Sequence, residues 1–164
     1  MYLLFYKKKI IVLTDIIDEG KDLILFPIKD VKLKKVIKSL NKKNTNSVHL
    51  YHKNKDKLLK YFFKLIPTVI AAGGKITNSK SEVLFIFRNE KWDLPKGKAE
   101  KNEQLPQTAL REVKEETGIK EVSISKPLDI TYHIFRRNGD YKLKVTYWFD
   151  MFSDYKGKLF PQLD

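Results

Sequence analysis

The chain has 164 residues, of which 42% are hydrophobic and 32% charged, as in a soluble globular protein of one domain or one domain with an appendage. It contains no cysteine, which excludes disulfides, thiolate metal sites and thiol nucleophiles, and its apolar runs are too short to cross a bilayer. The N-terminal apolar residues precede the lysines, opposite to the order in a secretory signal, so we expect a cytoplasmic protein.

The net charge of +13 raises the question of nucleic-acid binding. Of the 33 basic residues, 29 are Lys and four are Arg, whereas bidentate contacts to bases and phosphates favour Arg. Ile and Asn, which share A-rich codons with Lys, are also abundant. This favours a solvated lysine surface, with a nucleic-acid patch as the alternative. Residues 1–66 carry +10 and residues 67–164 carry +3, which indicates two parts.

Residues 1–66 alternate strand-like and helical patterns. Four strands are predicted, at Tyr2–Tyr6, Lys9–Thr14, Leu23–Ile28 and Val48–His52. A helix is predicted over Val31–Leu40 with Asp30 as its N-cap, and a second helix, capped by Asn54 or Asp56, continues to Ile66. These elements form a small α/β unit, near the lower size limit for independent folding.

From Thr68 onward the pattern changes. Val69–Thr77 reads as a strand in which Gly73 and Gly74 predict a bulge or the close approach of another backbone. A helix with Pro106 in its first turn ends at Gly118. The remaining elements are a strand, a loop and two strands joined at Asn138-Gly139, predicted at Glu82–Arg88, Trp92–Gly97, Leu128–Arg136 and Tyr141–Phe149.

Three carboxylates, Glu112, Glu115 and Glu116, project from one side of this helix, because residues three and four apart share a face. Like charges placed in this way repel one another, and a divalent cation among them relieves the repulsion. Magnesium and manganese prefer carboxylate and carbonyl oxygens and often bridge to substrate phosphates. The segment therefore indicates metal-assisted chemistry on a phosphate ester; the alternative is a solvated acidic face.

The same segment resembles the Nudix box. Nine residues match its fixed positions, namely Gly97, Glu103, Arg111, Glu112, Val113, Glu115, Glu116, Gly118 and Ile119. The preceding Trp92-x-Leu94-Pro95-Lys96-Gly97 is also similar to many Nudix hydrolases. The resemblance covers residues 67–164 and implies a Nudix hydrolase domain, an α/β/α sandwich with a mixed sheet. Residues 1–66 lie outside it, so we expect them to form a small N-terminal α/β appendage of unknown role.

The resemblance implies hydrolysis of a diphosphate bond in a nucleoside diphosphate linked to another group, with Mg²⁺ or Mn²⁺ as the cofactor. Glu115 and Glu116 correspond to the main metal ligands, the Gly97 carbonyl to another ligand, and Glu112 to a further ligand or the base that activates water. Glu103 and Arg111 correspond to a pair that braces the loop against the helix. A surface pair between Arg111 and Glu115, at i,i+4, is the alternative.

Substrate binding is predicted from basic residues near the loop. Arg88, Lys96 and Lys98 are candidates for holding phosphates that no metal binds. Trp92 is either a base-stacking residue or, as its position beside Leu94 favours, part of the core. The Pro95–Lys98 and Lys144–Phe149 segments are most similar to members that act on nucleoside triphosphates or dinucleoside polyphosphates.

The sequence departs from the family pattern at Phe160-Pro161-Gln162-Leu163-Asp164. Similar proteins continue here with acidic residues, a strand and a closing helix, so we expect an incomplete C-terminal layer. Either the sequence is truncated, or the N-terminal unit covers the exposed face. An apolar face left bare in this way predicts association, such as a homodimer. The alternative function is a binding or regulatory module that keeps the Nudix fold without turnover.

Overall fold

The computed structural model describes residues 1–17, 23–88 and 90–160. These residues form strands and helices in the order β1 (Tyr2–Tyr6), β2 (Lys9–Thr14), β3 (Leu25–Pro27), α1 (Leu33–Leu40), β4 (Ser47–Tyr51), α2 (Asp56–Leu65), β5 (Thr68–Thr77), β6 (Ile86–Arg88), β7 (Lys91–Asp93), β8 (Lys96–Lys98), α3 (Leu105–Thr117), β9 (Ser123–Pro127), β10 (Thr131–Arg137) and β11 (Asp140–Phe152). Parallel and antiparallel pairs occur together, so the predicted mixed α/β class is confirmed.

One sequence prediction concerns residues outside the described ranges. The segment 161–164, expected to end an incomplete layer, lies outside the described residues. Within the described ranges, no helix has the length and apolar character needed to span a bilayer.

The chain divides into two compact units of 82 residues each, and neither unit is one continuous segment. Unit 1 comprises Met1–Val69 and Tyr132–Lys144, and unit 2 comprises Ile70–Thr131 and Val145–Asp164. The residues of the β10–β11 hairpin therefore group with the N-terminal residues. The proposed domain boundary between residues 66 and 67 stays a prediction.

In unit 1, the strands follow the order β3-β4-β2-β1-β10. The β1–β2 pair is antiparallel, and the pairs β2–β4, β3–β4 and β1–β10 are parallel. Strands β1 and β2 have the predicted bounds, and Lys7, with φ of 55°, lies in the turn between them. Helices α1 and α2 each bury one apolar face, which includes Val36 and Leu40 in α1 and Leu58 and Phe62 in α2.

The start of α1 differs from the prediction. Lys32, in an extended conformation, is the N-cap residue and supplies no side-chain hydrogen bond, so the prediction of Asp30 as the cap is wrong. Asp30 instead lies in a turn in which its N–H donates to the Pro27 carbonyl at 3.4 Å. At α2 the N-cap is Lys55, but Asn54 Oδ1 accepts a hydrogen bond from the Asp56 N–H at 2.9 Å.

In unit 2, α3 packs its predicted apolar face into the core. Ala109 and Val113 are fully buried and Leu110 is half-buried. Pro106 lies in the first turn and Gly118 ends the helix with φ of 76°, as predicted. The core around them consists of residues from α3, the strands and the loop after α3, namely Ala72, Ile76, Ala109, Val113, Ile119, Phe149 and Met151.

The short strands of unit 2 differ from the sequence prediction. The strand expected at Glu82–Arg88 spans only Ile86–Arg88, which pairs with β7 in a separate two-stranded hairpin. Strands β7 and β8 both include residues of the segment predicted as a loop, Trp92–Gly97. Strand β9 was not predicted; it is antiparallel to β11, with an irregularity at Asp150/Met151.

The close approach predicted at the glycine pair occurs at Gly73. A methyl group there would overlap the Pro95 carbonyl and the Lys96 backbone, whereas at Gly74 it would meet only the Met151 side chain. Because a Met side chain repacks more easily than a backbone, we expect Gly73→Ala to lower the free energy of unfolding by about 1–3 kcal/mol and Gly74→Ala by less. Urea denaturation of both variants measures this difference; equal losses would contradict it.

Candidate metal and diphosphate site

The site lies in unit 2, where Gly97 of β8 faces α3. In the antiparallel pair of β5 and β8, Gly97 is opposite Ala72. A side chain built on Gly97 would overlap the carboxylate of Glu112, which already occupies that space. Glycine is needed here because it lets a helix carboxylate come close to the backbone of the loop.

Arg111 connects this loop to the helix. Its Nε and Nη2 donate to Glu103 Oε1 and Oε2 at 2.8 and 3.0 Å, which is a bidentate, charge-assisted pair. Nη2 also donates to the Lys98 carbonyl at 3.1 Å. Since Lys98 ends β8 and Glu103 lies just before α3, one guanidinium holds both ends of the intervening loop.

Further donors support the Glu103 carboxylate. Glu103 Oε2 accepts hydrogen bonds from Thr108 Oγ1 at 2.8 Å and from the Glu100 N–H at 3.0 Å. The hydrogen bond from Arg111, followed by those from Glu100 and Thr108, lowers the pKa of Glu103 to about 2. In return, the hydrogen bond that Arg111 donates to Glu103 raises the pKa of Arg111 above its ordinary value. The pair is therefore ionised throughout the neutral range.

Arg111 also contacts two of the three helix carboxylates. Its Nη1 donates to Glu112 Oε1 at 2.7 Å and to Glu115 Oε2 at 3.0 Å. The brace to Glu103 and the i,i+4 pair to Glu115 are therefore present together. The carboxylates repel one another, which suggested a metal ion from the sequence. In the structure, Arg111 reduces this repulsion. The roles assigned to Arg111 and Glu103 in catalysis stay predictions.

The third carboxylate, Glu116, is buried, with 7% of its side chain exposed. Its Oε1 accepts a hydrogen bond from Arg88 Nη1 at 3.0 Å, and its Oε2 accepts one from the Lys96 N–H at 2.8 Å. Burial raises the pKa of Glu116, while the Lys96 N–H and the charges of Lys96 and Arg88 oppose the shift. A carboxylate held in this way gains from additional positive charge.

The predicted phosphate-binding residues have different environments. Arg88 contacts Glu116, and the Lys96 ammonium group pairs with the Asp93 carboxylate. Lys98 contributes its backbone carbonyl to Arg111, and its side chain is exposed. Sequence reasoning missed Asp93 and Thr108. In the sequence, Asp93 was indicated only by its three-residue spacing from Lys96, and Thr108 only by its position inside the matched segment.

The preference for Trp92 as a core residue is wrong. Trp92 is 71% exposed and Phe87, opposite it in the β6–β7 hairpin, is 60% exposed, with ring centroids 5.0 Å apart. Each strand of the hairpin has three residues, which is too little structure to bury both rings. The other tryptophan, Trp148, is half-buried, and its Nε1–H donates to Thr131 Oγ1 at 2.8 Å.

The residues fit a hard divalent cation in their chemistry. Glu112 and Glu116 supply carboxylate oxygens beside the backbone of β8, and the glycine at position 97 leaves that backbone open to a carboxylate. The side chains are not arranged as a metal cage, since across residues 1–17, 23–88 and 90–160 no three acidic or histidine groups converge. Arg111 and Arg88 hold the carboxylates in the positions seen here.

Comparison with known proteins identifies the family. The model of the NUDIX domain matches residues 67–164, about three-fifths of the chain. The chain therefore belongs to the Nudix hydrolase family, and the resemblance found in the sequence is confirmed.

Solved structures with similar folds include three from different organisms. The MutT protein from Methanosarcina mazei Go1 is 32% identical, with 60% of this chain and 75% of that chain covered and a TM-score of 0.45. The Ap4A hydrolase of C. elegans is 24% identical, with 57% and 75% covered and a TM-score of 0.44. The dihydroneopterin triphosphate pyrophosphohydrolase of E. coli is 19% identical, with 57% and 73% covered and a TM-score of 0.48.

The lowered pKa of Glu103 predicts a pH-dependent contribution to stability. Because the pKa falls from 4.5 to about 2 on folding, the ionised pair stabilises the protein above pH 4.5, and this contribution is lost as the pH falls toward 2. We expect Glu103→Gln to lower the melting temperature at pH 7, with a difference from the wild type that shrinks below pH 4.5.

Thermal unfolding followed by circular dichroism from pH 7 to pH 2.5 measures this difference. Glu100→Gln, which removes an exposed carboxylate outside the ion pair, is the matched control, and its curve is expected to run parallel to that of the wild type. A Glu103→Gln deficit that stays constant down to pH 2.5 would show that charge is not what Glu103 contributes.

Proposed function

We propose that the protein is a Mg²⁺-dependent pyrophosphohydrolase that cleaves a diphosphate bond in a nucleoside diphosphate linked to another group. The observation that carries the proposal is the placement of Glu112 and Glu116 against β8, with Arg88 beside them. Nucleoside triphosphates and dinucleoside polyphosphates are the favoured substrates, on the resemblance of the Pro95–Lys98 and Lys144–Phe149 segments. Mn²⁺ is an alternative ion, since both ions prefer oxygen donors.

In this proposal, Gly97 through its carbonyl and Glu112, Glu115 and Glu116 through their carboxylates hold the ion. A bound divalent ion neutralises charge on the phosphate oxygens and lowers the pKa of water. The carboxylates are close to the basic groups that would meet the substrate. Their present partners, Arg88 and Arg111, are cations, so binding of the ion changes which groups neutralise them.

The chain's own residues would then accept the proton of the attacking water and bind the other phosphate oxygens. The oxygen of a water molecule attacks one phosphorus atom, the bond from that phosphorus to the bridging oxygen breaks, and the leaving phosphate keeps the electron pair. Glu112 is the candidate acceptor of the water proton. Arg88 and Lys96 would provide positive charge for the other phosphate oxygens, because Arg88 pairs with Glu116 and the charge of Lys96 acts on the same carboxylate.

Arg111 and Glu103 would act as positioning residues. Their bidentate pair, with the bond to the Lys98 carbonyl, fixes the loop that presents Gly97. Catalysis of this kind depends on groups held within a fraction of an ångström. A loosened loop would therefore lower the rate without removing any group that touches the substrate.

Turnover is the direct test. With Mg²⁺ and a panel of nucleoside triphosphates, dinucleoside polyphosphates and nucleotide sugars, we expect at least one substrate to release mononucleotide. Glu116→Gln is expected to lower kcat by about 10²-fold or more, because it removes a charged group at the reacting centre. Glu121→Gln, an exposed carboxylate outside the site, is the matched control and should keep full activity. Full activity of Glu116→Gln would overturn the proposal.

Metal binding is tested separately from turnover. Titration with Mn²⁺, followed by the loss of the free-ion electron paramagnetic resonance signal, should show affinity reduced at least about tenfold in Glu112→Gln and Glu116→Gln. Glu121→Gln should bind as the wild type does. If Mn²⁺ binds and no substrate on the panel turns over, the data favour a Nudix-fold binding module. If no variant changes the affinity, the ion is held elsewhere.

A further inference from the structure

The net positive charge of the protein lies in one unit. Unit 1 contains 20 basic and seven acidic residues, which gives +13, whereas unit 2 contains 13 of each and is neutral. The two units have the same length, so a bias of the whole sequence toward lysine would have charged both. The sequence split of +10 and +3 understated this contrast, because the basic hairpin residues 136–144 belong to unit 1.

Within unit 1, three exposed lysines form a stripe on one side of α1 and its C-terminal end. Lys34 and Lys38 are four residues apart on α1, which is a rise of about 6 Å along the helix axis, and Lys42 follows two residues after the helix ends. In the described part of the chain, their ammonium groups have no hydrogen bond or ion pair. Three free cations on one surface can meet neighbouring groups of one extended anion.

The lysine stripe borders an open groove of about 490 Å³. Its lining residues are Lys34, Ile37, Lys38, Asn41, Lys42 and Tyr141. No carboxylate is among the lining residues that the structure describes. We call this feature the lysine groove.

Aromatic and basic groups are interleaved beside the lysine groove. The Tyr141 ring contacts the Tyr6 ring edge to face, with centroids 5.9 Å apart. The Arg136 guanidinium lies 5.8 Å from the Tyr141 ring centroid, and Lys7 Nζ lies 5.5 Å from that of Tyr6. Tyr6 is buried and Tyr141 is half-buried, so Tyr141 is the ring of this pair that a ligand can reach. An accessible ring among cations is typical of surfaces that bind single-stranded nucleic acids.

Helix α1 is held firmly at the end of the groove. Lys9 Nζ donates to the carbonyls of Leu40 and Lys42 at 2.7 and 2.9 Å. A lysine at this position satisfies the last carbonyls of the helix and complements its dipole. Lys34 and Lys38 therefore project from a helix whose end is fixed to β2, and the backbone of Lys42 is fixed by the same ammonium group.

We propose that the lysine groove binds single-stranded nucleic acid through its phosphodiester backbone, without regard to base sequence. A flexible strand can follow a groove lined by three lysines, and a base can pack against the half-buried Tyr141 ring. The abundance of Lys over Arg fits contacts to phosphate as point charges, with little direct base recognition. The proposal does not depend on the hydrolase activity of unit 2.

The test uses the full-length protein and a fluorescein-labelled 20-nucleotide single-stranded RNA of mixed sequence. Fluorescence anisotropy is measured with EDTA present, so that binding is read independently of metal and of turnover. We expect the triple variant K34Q/K38Q/K42Q to bind at least about tenfold more weakly than the wild type. The slope of log K against log salt concentration should fall by about 2, since each phosphate contact to a single strand contributes about 0.7.

Two matched variants complete the test. K53Q/K57Q/K60Q removes three exposed lysines of unit 1 outside the groove, and should weaken binding less than threefold. K34R/K38R/K42R keeps the charge and should bind within about twofold of the wild type. Circular dichroism checks that each variant is folded.

Four outcomes would overturn the proposal. The first is equal weakening by the two Lys→Gln triples, which indicates diffuse charge. The second is an unchanged salt dependence in the groove variant. The third is tighter binding of a duplex of the same length. The fourth is displacement of the RNA by phosphatidylserine vesicles at lower phosphate concentration than by unlabelled RNA, which identifies a membrane surface.

Discussion

The organisation of the candidate site depends on the guanidinium of Arg111. It pairs with Glu103 in the loop, with the carbonyl of Lys98 at the end of β8, and with Glu112 and Glu115 on its own helix. The side chains of Glu103 and Glu112 are only 14% and 13% exposed, so without Arg111 both would be largely buried anions with one partner fewer. The Arg111 guanidinium thus stabilises the loop and also reduces the repulsion between the carboxylates of α3.

Local sequence signals predicted those parts of the fold that local interactions determine. Strands β1 and β2 are joined by a two-residue turn, and α3 begins beside Pro106 and ends at Gly118, so neighbouring residues fix their bounds. Strand β9 escaped prediction because its sequence is mostly polar and its register is set by β11, more than 20 residues away. Asp30 had the right residue type for a cap, but the chain turns at Pro27 before the helix begins.

The candidate site was predictable to a similar degree. The spacing of Glu112, Glu115 and Glu116 placed them on one helix, as the structure shows, but it could not show which cations they contact. Arg88 comes from a hairpin 28 residues before Glu116, and only the tertiary fold brings the two together. Trp92 was misjudged because an aromatic residue beside a leucine is usually buried, whereas here the short β6–β7 hairpin exposes it.

The different environments of the two tryptophans give the protein a built-in optical probe. Trp92 is open to water on the hairpin that also carries Arg88, whereas the indole of Trp148 is half-buried and hydrogen-bonded to Thr131. A water-soluble quencher such as iodide will reach the first indole far more readily than the second. The quenchable part of the emission therefore reports on the hairpin next to the carboxylates, without any label being attached.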